Sequence, residues 1–152
     1  MTAPRTPLPD GMSSRAAEPR PTAAGPGRLL VAGYGIFAFA ATSRAAVQLT
    51  TRFHEAPIAY LLSAFSAVVY VLATVALARR GAAARRLAWV AVVTELVGVL
   101  AIGTFSLLVP DDFPDETVWS TYGVGYLFIP LVLPFVGIWW LRRTGRGGPP
   151  AV

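Results

Sequence analysis

The sequence predicts an all-α fold, a membrane-embedded four-helix bundle with both ends cytoplasmic (N-in/C-in) and a disordered N-terminal tail. Three observations predict it. The chain of 152 residues is 55% hydrophobic and only 14% charged, against roughly 25% charged residues in a soluble domain, and its mean hydropathy is +0.57. Four apolar runs, at residues 29–49, 58–78, 87–109 and 119–141, are each 21 to 23 residues long, and a bilayer core of about 30 Å needs about 20 residues of helix. The Arg residues cluster on alternate connections, as a membrane topology requires.

Residues 1–27 hold six prolines and almost no large apolar side chains. Such a segment cannot bury enough surface to offset its ordering entropy, so it is expected to be a disordered cytoplasmic tail. The four-span domain then runs over residues 28–143, and residues 144–152 form a second short cytoplasmic tail. Arg28 followed by 29–40 also fits a signal peptide cut after Ala38-Phe39-Ala40. The long Pro-rich segment ahead of it, and the apolar run that continues past it, favour a retained span.

The first span carries Gly33, Phe37, Ala40, Ala41, Arg44 and Gln48 on one stripe. The second recurs as Ser63, Ser66, Tyr70 and Thr74 against Leu61, Phe65, Val68, Leu72 and Val75. In the third, Ala88, Ala91, Glu95 and Gly98 oppose Val90, Val93, Val97 and Leu100. In the fourth, Gly123, Tyr126, Pro130, Pro134 and Gly137 oppose Val124, Phe128, Leu131, Phe135 and Ile138. Small and polar residues at helix contacts with bulky aliphatics toward lipid are the expected pattern of packed membrane helices. The small and polar stripes should therefore face inward.

Charge sets the orientation. The N-terminal segment, the connection 79–86 and the C-terminus hold eleven Arg against Asp10 and Glu18. The other two connections hold Arg52 against Glu55, Asp111, Asp112, Asp115 and Glu116. The positive-inside rule puts both termini in the cytoplasm. Trp89, Trp139 and Trp140 then belong to the inner aromatic belt, and Tyr60 and Trp119 to the outer one. The basic pI follows from this topology, so nucleic acid is not an expected partner. The exclusive use of Arg over Lys, with abundant Ala, Gly, Pro and Val, points to a GC-rich bacterial source and hence to a bacterial plasma membrane.

Little in the sequence carries chemistry. There is no Cys and one His, His54, which removes thiolate sites, disulfides and paired-His metal motifs. No phosphate loop or catalytic triad pattern is present, so neither an enzyme, a metal nor a cofactor is expected. The acidic connection 110–116 lacks EF-hand spacing, and Asp115 suits a helix N-cap there. Glu95 is the foremost candidate, a carboxyl near the middle of a span, costing about 2.5–3.5 kcal/mol on insertion scales. Its expected partner is Tyr70, with Tyr34 next. Arg44 sits about 12 Å along the normal from Glu95 at 1.5 Å per residue, so a direct pair needs both side chains to stretch. Arg44 is expected to snorkel outward beside Gln48. Pro130 and Pro134, spaced i, i+4, are expected to kink the fourth helix.

The run HEAPIAYLLSA, the third-span TELVGVLAIGT and the stretch FPDETVWSTYGVGYLFIPLVLPFVGIWWL together resemble a group of small, uncharacterised four-span integral membrane proteins of high-GC Gram-positive bacteria. The likeness covers residues 29–141. It implies a location and no chemistry, and it carries no site residue. The expected role is a structural or accessory one, with the lipid bilayer, other membrane proteins or a second copy as partners. The alternative is a small oligomeric transporter or channel subunit, proton-linked through Glu95.

Overall fold

The computed structural model describes residues 25–109 and 117–145. The expected disorder of the N-terminal tail, the capping role of Asp115 and the end of the C-terminal tail fall outside these residues. Those described form α-helices and one 3-10 segment, with no strand among them. Helix α1 is Pro26–Thr51, α2 is Pro57–Ala78, α3 is Ala82–Leu108 and α4 is Ile129–Gly145, with the 3-10 segment Ser120–Tyr126 ahead of α4.

The helix starts follow from sequence. Pro26 and Pro57 each stand in the first turn of their helix, where a missing N–H costs nothing and the fixed φ is already helical. Helices α1, α2 and α3 are each long and apolar enough to cross a membrane, and the fourth segment qualifies when its two bent parts count as one span. Helix α1 packs on α2, α2 on α3, and α3 on both α4 and the 3-10 segment, while α4 closes back onto α1.

The inward and outward faces separate as hydropathy dictates. Ser63, Ser66, Tyr70, Ala88, Ala91, Glu95, Pro130, Pro134 and Gly137 are buried. Leu61, Phe65, Val68, Leu72, Val75, Val90, Val93, Val97 and Leu100 are exposed. On α1 the stripe is less regular, because Phe37, Ala41 and Gln48 are buried while Ala40 is exposed.

The fourth segment departs from the expected single helix over 119–141. The 3-10 segment and α4 meet at 100°. Thr121, Tyr122, Leu127 and Phe128 all have positive φ, near 52–58°. A left-handed residue with a Cβ costs roughly 1–2 kcal/mol, so this bend is held by tertiary contacts. Ser106 Oγ on α3 accepts the N–H of Thr121 at 2.8 Å, and the hydroxyls of Thr104 and Tyr122 lie 2.8 Å apart. Thr117 Oγ1 accepts the N–H groups of Trp119 and Ser120 at 3.2 and 3.1 Å, capping the segment.

The bend also corrects the expectation for Pro130. It lies between Tyr126 and Ile129, upstream of both. Pro130 falls in the first turn of α4, where its missing donor is not needed. Pro134 alone lies inside the helix.

At the other end of α4, Arg85 of α3 donates through Nη2 to the carbonyl of Leu141 and through Nη1 to Thr144 Oγ1. A guanidinium there satisfies an end-of-helix carbonyl and complements the negative end of the helix dipole.

Candidate functional site

The interior polar residues gather around Glu95. Helix α3 places its carboxyl on the small-residue face, fully buried. Tyr34 of α1, also fully buried, donates its hydroxyl to Glu95 Oε2 at 2.7 Å. This bond joins α1 to α3 across the bundle. Gly137 of α4 makes room for it, since a Cβ there would lie 3.1 Å from the Tyr34 hydroxyl.

Tyr70 of α2 stands beside the same carboxyl, within electrostatic reach of it. Its hydroxyl accepts the indole N–H of Trp119 at 3.3 Å. The rings of Tyr34 and Tyr70 are 6.2 Å apart, and Phe37 packs on Tyr70 at 5.7 Å. Phe37 in turn meets Tyr126 edge-on at 5.9 Å, and Tyr126 accepts a hydrogen bond from Arg44 Nη1 at 3.2 Å. One connected set of rings and polar groups thus links all four segments.

Sequence position brought Glu95, Tyr34 and Tyr70 together correctly as neighbours but ranked their contacts differently. Tyr34 makes the short bond to the carboxyl, and Tyr70 is its second, weaker partner. Depth along a span is readable from residue counts, whereas the direction a side chain faces depends on helix rotation and tilt. Arg44 is half-buried and engages Tyr126 rather than only running outward. Gln48 is buried one turn further along α1.

Two residues expected at the outer aromatic belt are core residues. Trp119 is 1% exposed and Tyr60 is fully buried. The signal for Trp119 lay in Gly98: a Cβ at that position would come within 2.5 Å of the indole Cζ3. The absent side chain on α3 is the slot that the ring fills. Of the tryptophans near the end of α4, Trp139 is about half-exposed and carries Arg143 over its ring at 5.2 Å, a cation–π contact.

The chemistry this arrangement offers is narrow. Glu95 Oε2 is held by a phenol, while Oε1 accepts no hydrogen bond among the described residues. Ser63 Oγ and Gln48 Oε1 are in the same condition. No group of three His, Cys, Asp or Glu able to hold a metal occurs among the described residues. No family profile matches the chain, and neither a curated protein nor a solved structure is significantly similar to it.

Proposed function

We propose that the chain is an integral protein of a bacterial plasma membrane, crossing it four times with both termini cytoplasmic. In this reading it acts without catalysis, as an accessory component that partners other membrane proteins or a second copy of itself. The inverted distribution of its residues supports embedding: Phe65, Val68, Val93 and Val97 face out while Glu95, Tyr34, Tyr70 and Ser66 are buried. In water that arrangement would expose an apolar surface far larger than a soluble monomer carries. In lipid it is the stable one.

The observation that carries the accessory role is the bond from Tyr34 to Glu95. It spends the intramembrane carboxyl on holding α1 to α3. None of the four described cavities is lined by Glu95, Tyr34 or Tyr70. The test is crosslinking in intact membranes followed by capture of the tagged full chain in mild detergent. A defined stoichiometric partner, or a discrete homo-oligomer, is expected. A chain that remains monomeric and alone under both conditions sinks the accessory role. Reporter tags at the two termini test the topology, which fails if they fall in opposite compartments.

One observation favours a second reading. Glu95 Oε1 is buried without a hydrogen-bond partner among the described residues, and intramembrane carboxylates mark proton and ion pathways. A transporter subunit proton-linked through Glu95 would conduct in liposomes and lose flux in Glu95→Gln. Equal absence of flux in parent and variant removes this reading.

A further inference from the structure

We propose that residues 117–122 form a gate, closed in this structure by the Trp119 ring, that admits water to Glu95 from the Leu108 end of α3. The gate rests on the second reading above, in which Glu95 exchanges protons, and it supplies the route. In the proposed orientation the Leu108 end is the outer one.

The segment lies along α3 in a fixed order. A Cβ at Gly98 would come within 2.5 Å of the Trp119 ring, and one at Gly103 within 2.5 Å of the Tyr122 ring. Ser106 Oγ then accepts the N–H of Thr121. Gly98 is three residues beyond Glu95, about 4.5 Å along the axis at 1.5 Å per residue. The indole therefore sits directly on the Leu108 side of the carboxyl. Phe65 of α2 meets it edge-on at 6.0 Å, and its N–H donates to the Tyr70 hydroxyl at 3.3 Å. Thr117, Val118, Trp119 and Ser120 are each at most 4% exposed, so this stretch is inserted among the helices as a stopper.

The stopper is built to move as a body. Its polar groups are satisfied from within: Ser120 Oγ accepts the N–H of Thr117 at 2.9 Å, and Thr117 Oγ1 accepts those of Trp119 and Ser120. Displacement leaves these bonds intact, so no buried backbone donor among them is orphaned. Among the described residues, three side-chain hydrogen bonds tie the segment to α2 and α3, at Tyr70, Thr104 and Ser106. The wall behind it is smooth, because Gly98 and Gly103 present no Cβ. Two strained joints follow it, Thr121–Tyr122 and Leu127–Phe128, all with φ of 52–58°. Left-handed backbone in residues with a Cβ is held only by surrounding contacts, and it relaxes when they part.

Unmet polar atoms indicate what the gate admits. Ser63 Oγ and Glu95 Oε1 are both buried without a hydrogen-bond partner among the described residues. Ser63 shares the α2 stripe of Ser66 and Tyr70, two turns from Tyr70 toward Pro57, the end of α2 that lies beside Leu108. Buried polar groups of this kind are commonly completed by water. With the indole withdrawn, water entering from that end would reach Ser63, then Tyr70, then the carboxyl.

The chain has no Cys, so a single introduced thiol reports by itself. Ser66→Cys places one at a fully buried position, one turn from Tyr70. Ala88→Cys, 1% exposed toward the Arg85 end of α3, serves as the reference. The full chain in oriented liposomes is treated from each side with a membrane-impermeant methanethiosulfonate. Ser66→Cys is expected to react from the Leu108 side only, about tenfold faster than Ala88→Cys, as local opening implies. Adding Ser106→Ala removes one tie and should raise that rate about fivefold, with Ala88→Cys unchanged. Equal rates for the two thiols, or acceleration of both by Ser106→Ala, overturn the gate. Should Ser66→Cys fail to fold, hydrogen exchange of the parent decides. The amides of Trp119, Ser120 and Thr121 should exchange together and ahead of those of Val92 and Val99, and exchange in step with α3 overturns the gate. Proton flux in the same liposomes separates the two ideas. Labelling of Ser66→Cys without flux removes proton linkage and leaves the gate, whereas flux abolished by Glu95→Gln with no labelling removes the gate alone.

Discussion

The hydroxyl of Tyr34 and the carboxyl of Glu95 form a contact whose removal has a calculable direction. Tyr34→Phe leaves a buried carboxyl without its donor, a loss of about 1–3 kcal/mol. Changing both partners to apolar residues should cost less than the two single changes summed, with a coupling near 1 kcal/mol in a double-mutant cycle of Tyr34→Phe and Glu95→Leu. Thermal unfolding in detergent measures it, and additive effects would show that the bond carries no energy. Gly98→Val is expected to cost about 1–3 kcal/mol by overpacking, because its Cβ would meet the ring of Trp119, and the indole emission should shift as that ring is displaced. At this scale the sequence was partly legible. Glu95 stood out as the one acid inside a span, and Tyr34 and Tyr70 were identified from depth. The slot for Trp119 escaped notice because a Gly in a small-residue stripe has the same appearance whether it faces a backbone or an aromatic ring.

Among the elements, α2 and α3 were the most legible. Their polar residues recur at three and four, and every aliphatic residue assigned to their outer faces is exposed. The fourth segment was the least. Gly123, Tyr126 and Pro130 keep helical spacing, so periodicity predicts a continuous helix. The 3-10 segment ahead of the bend is tied to Ser106 and Thr104 of α3, contacts that local pattern cannot reveal. Two expectations follow. Leu127→Gly should stabilise the protein by roughly 1 kcal/mol, since glycine adopts positive φ without a Cβ penalty. Pro134→Ala should leave the bend in place, because it lies upstream of that residue. Spin-label distances between α1 and residue 124 would check this, and a longer, straighter fourth helix in Pro134→Ala would refute it.

The molecule as a whole is ordered by charge on one axis and by hydropathy on the other. Arg79 and Arg80 lie between α2 and α3, and Arg85 and Arg86 near the start of α3; replacing all four with Gln should yield mixed orientations of the chain, read by terminal reporters. A population that keeps a single orientation would mean that the terminal Arg residues suffice. The bend in the fourth segment has a consequence at this scale as well. Helix α4 has 17 residues, whereas α1 and α3 have 26 and 27. At 1.5 Å per residue α4 rises about 25 Å over its described residues, against about 39–40 Å for α1 and α3. In the proposed membrane setting, lipids beside the short wall would compress or its flanking residues would stretch to reach water, at fractions of a kcal/mol per ångström of mismatch. Such a lopsided protein would gather thin, short-chained lipid along one flank, and it would draw a neighbour with a similarly short wall to that same side.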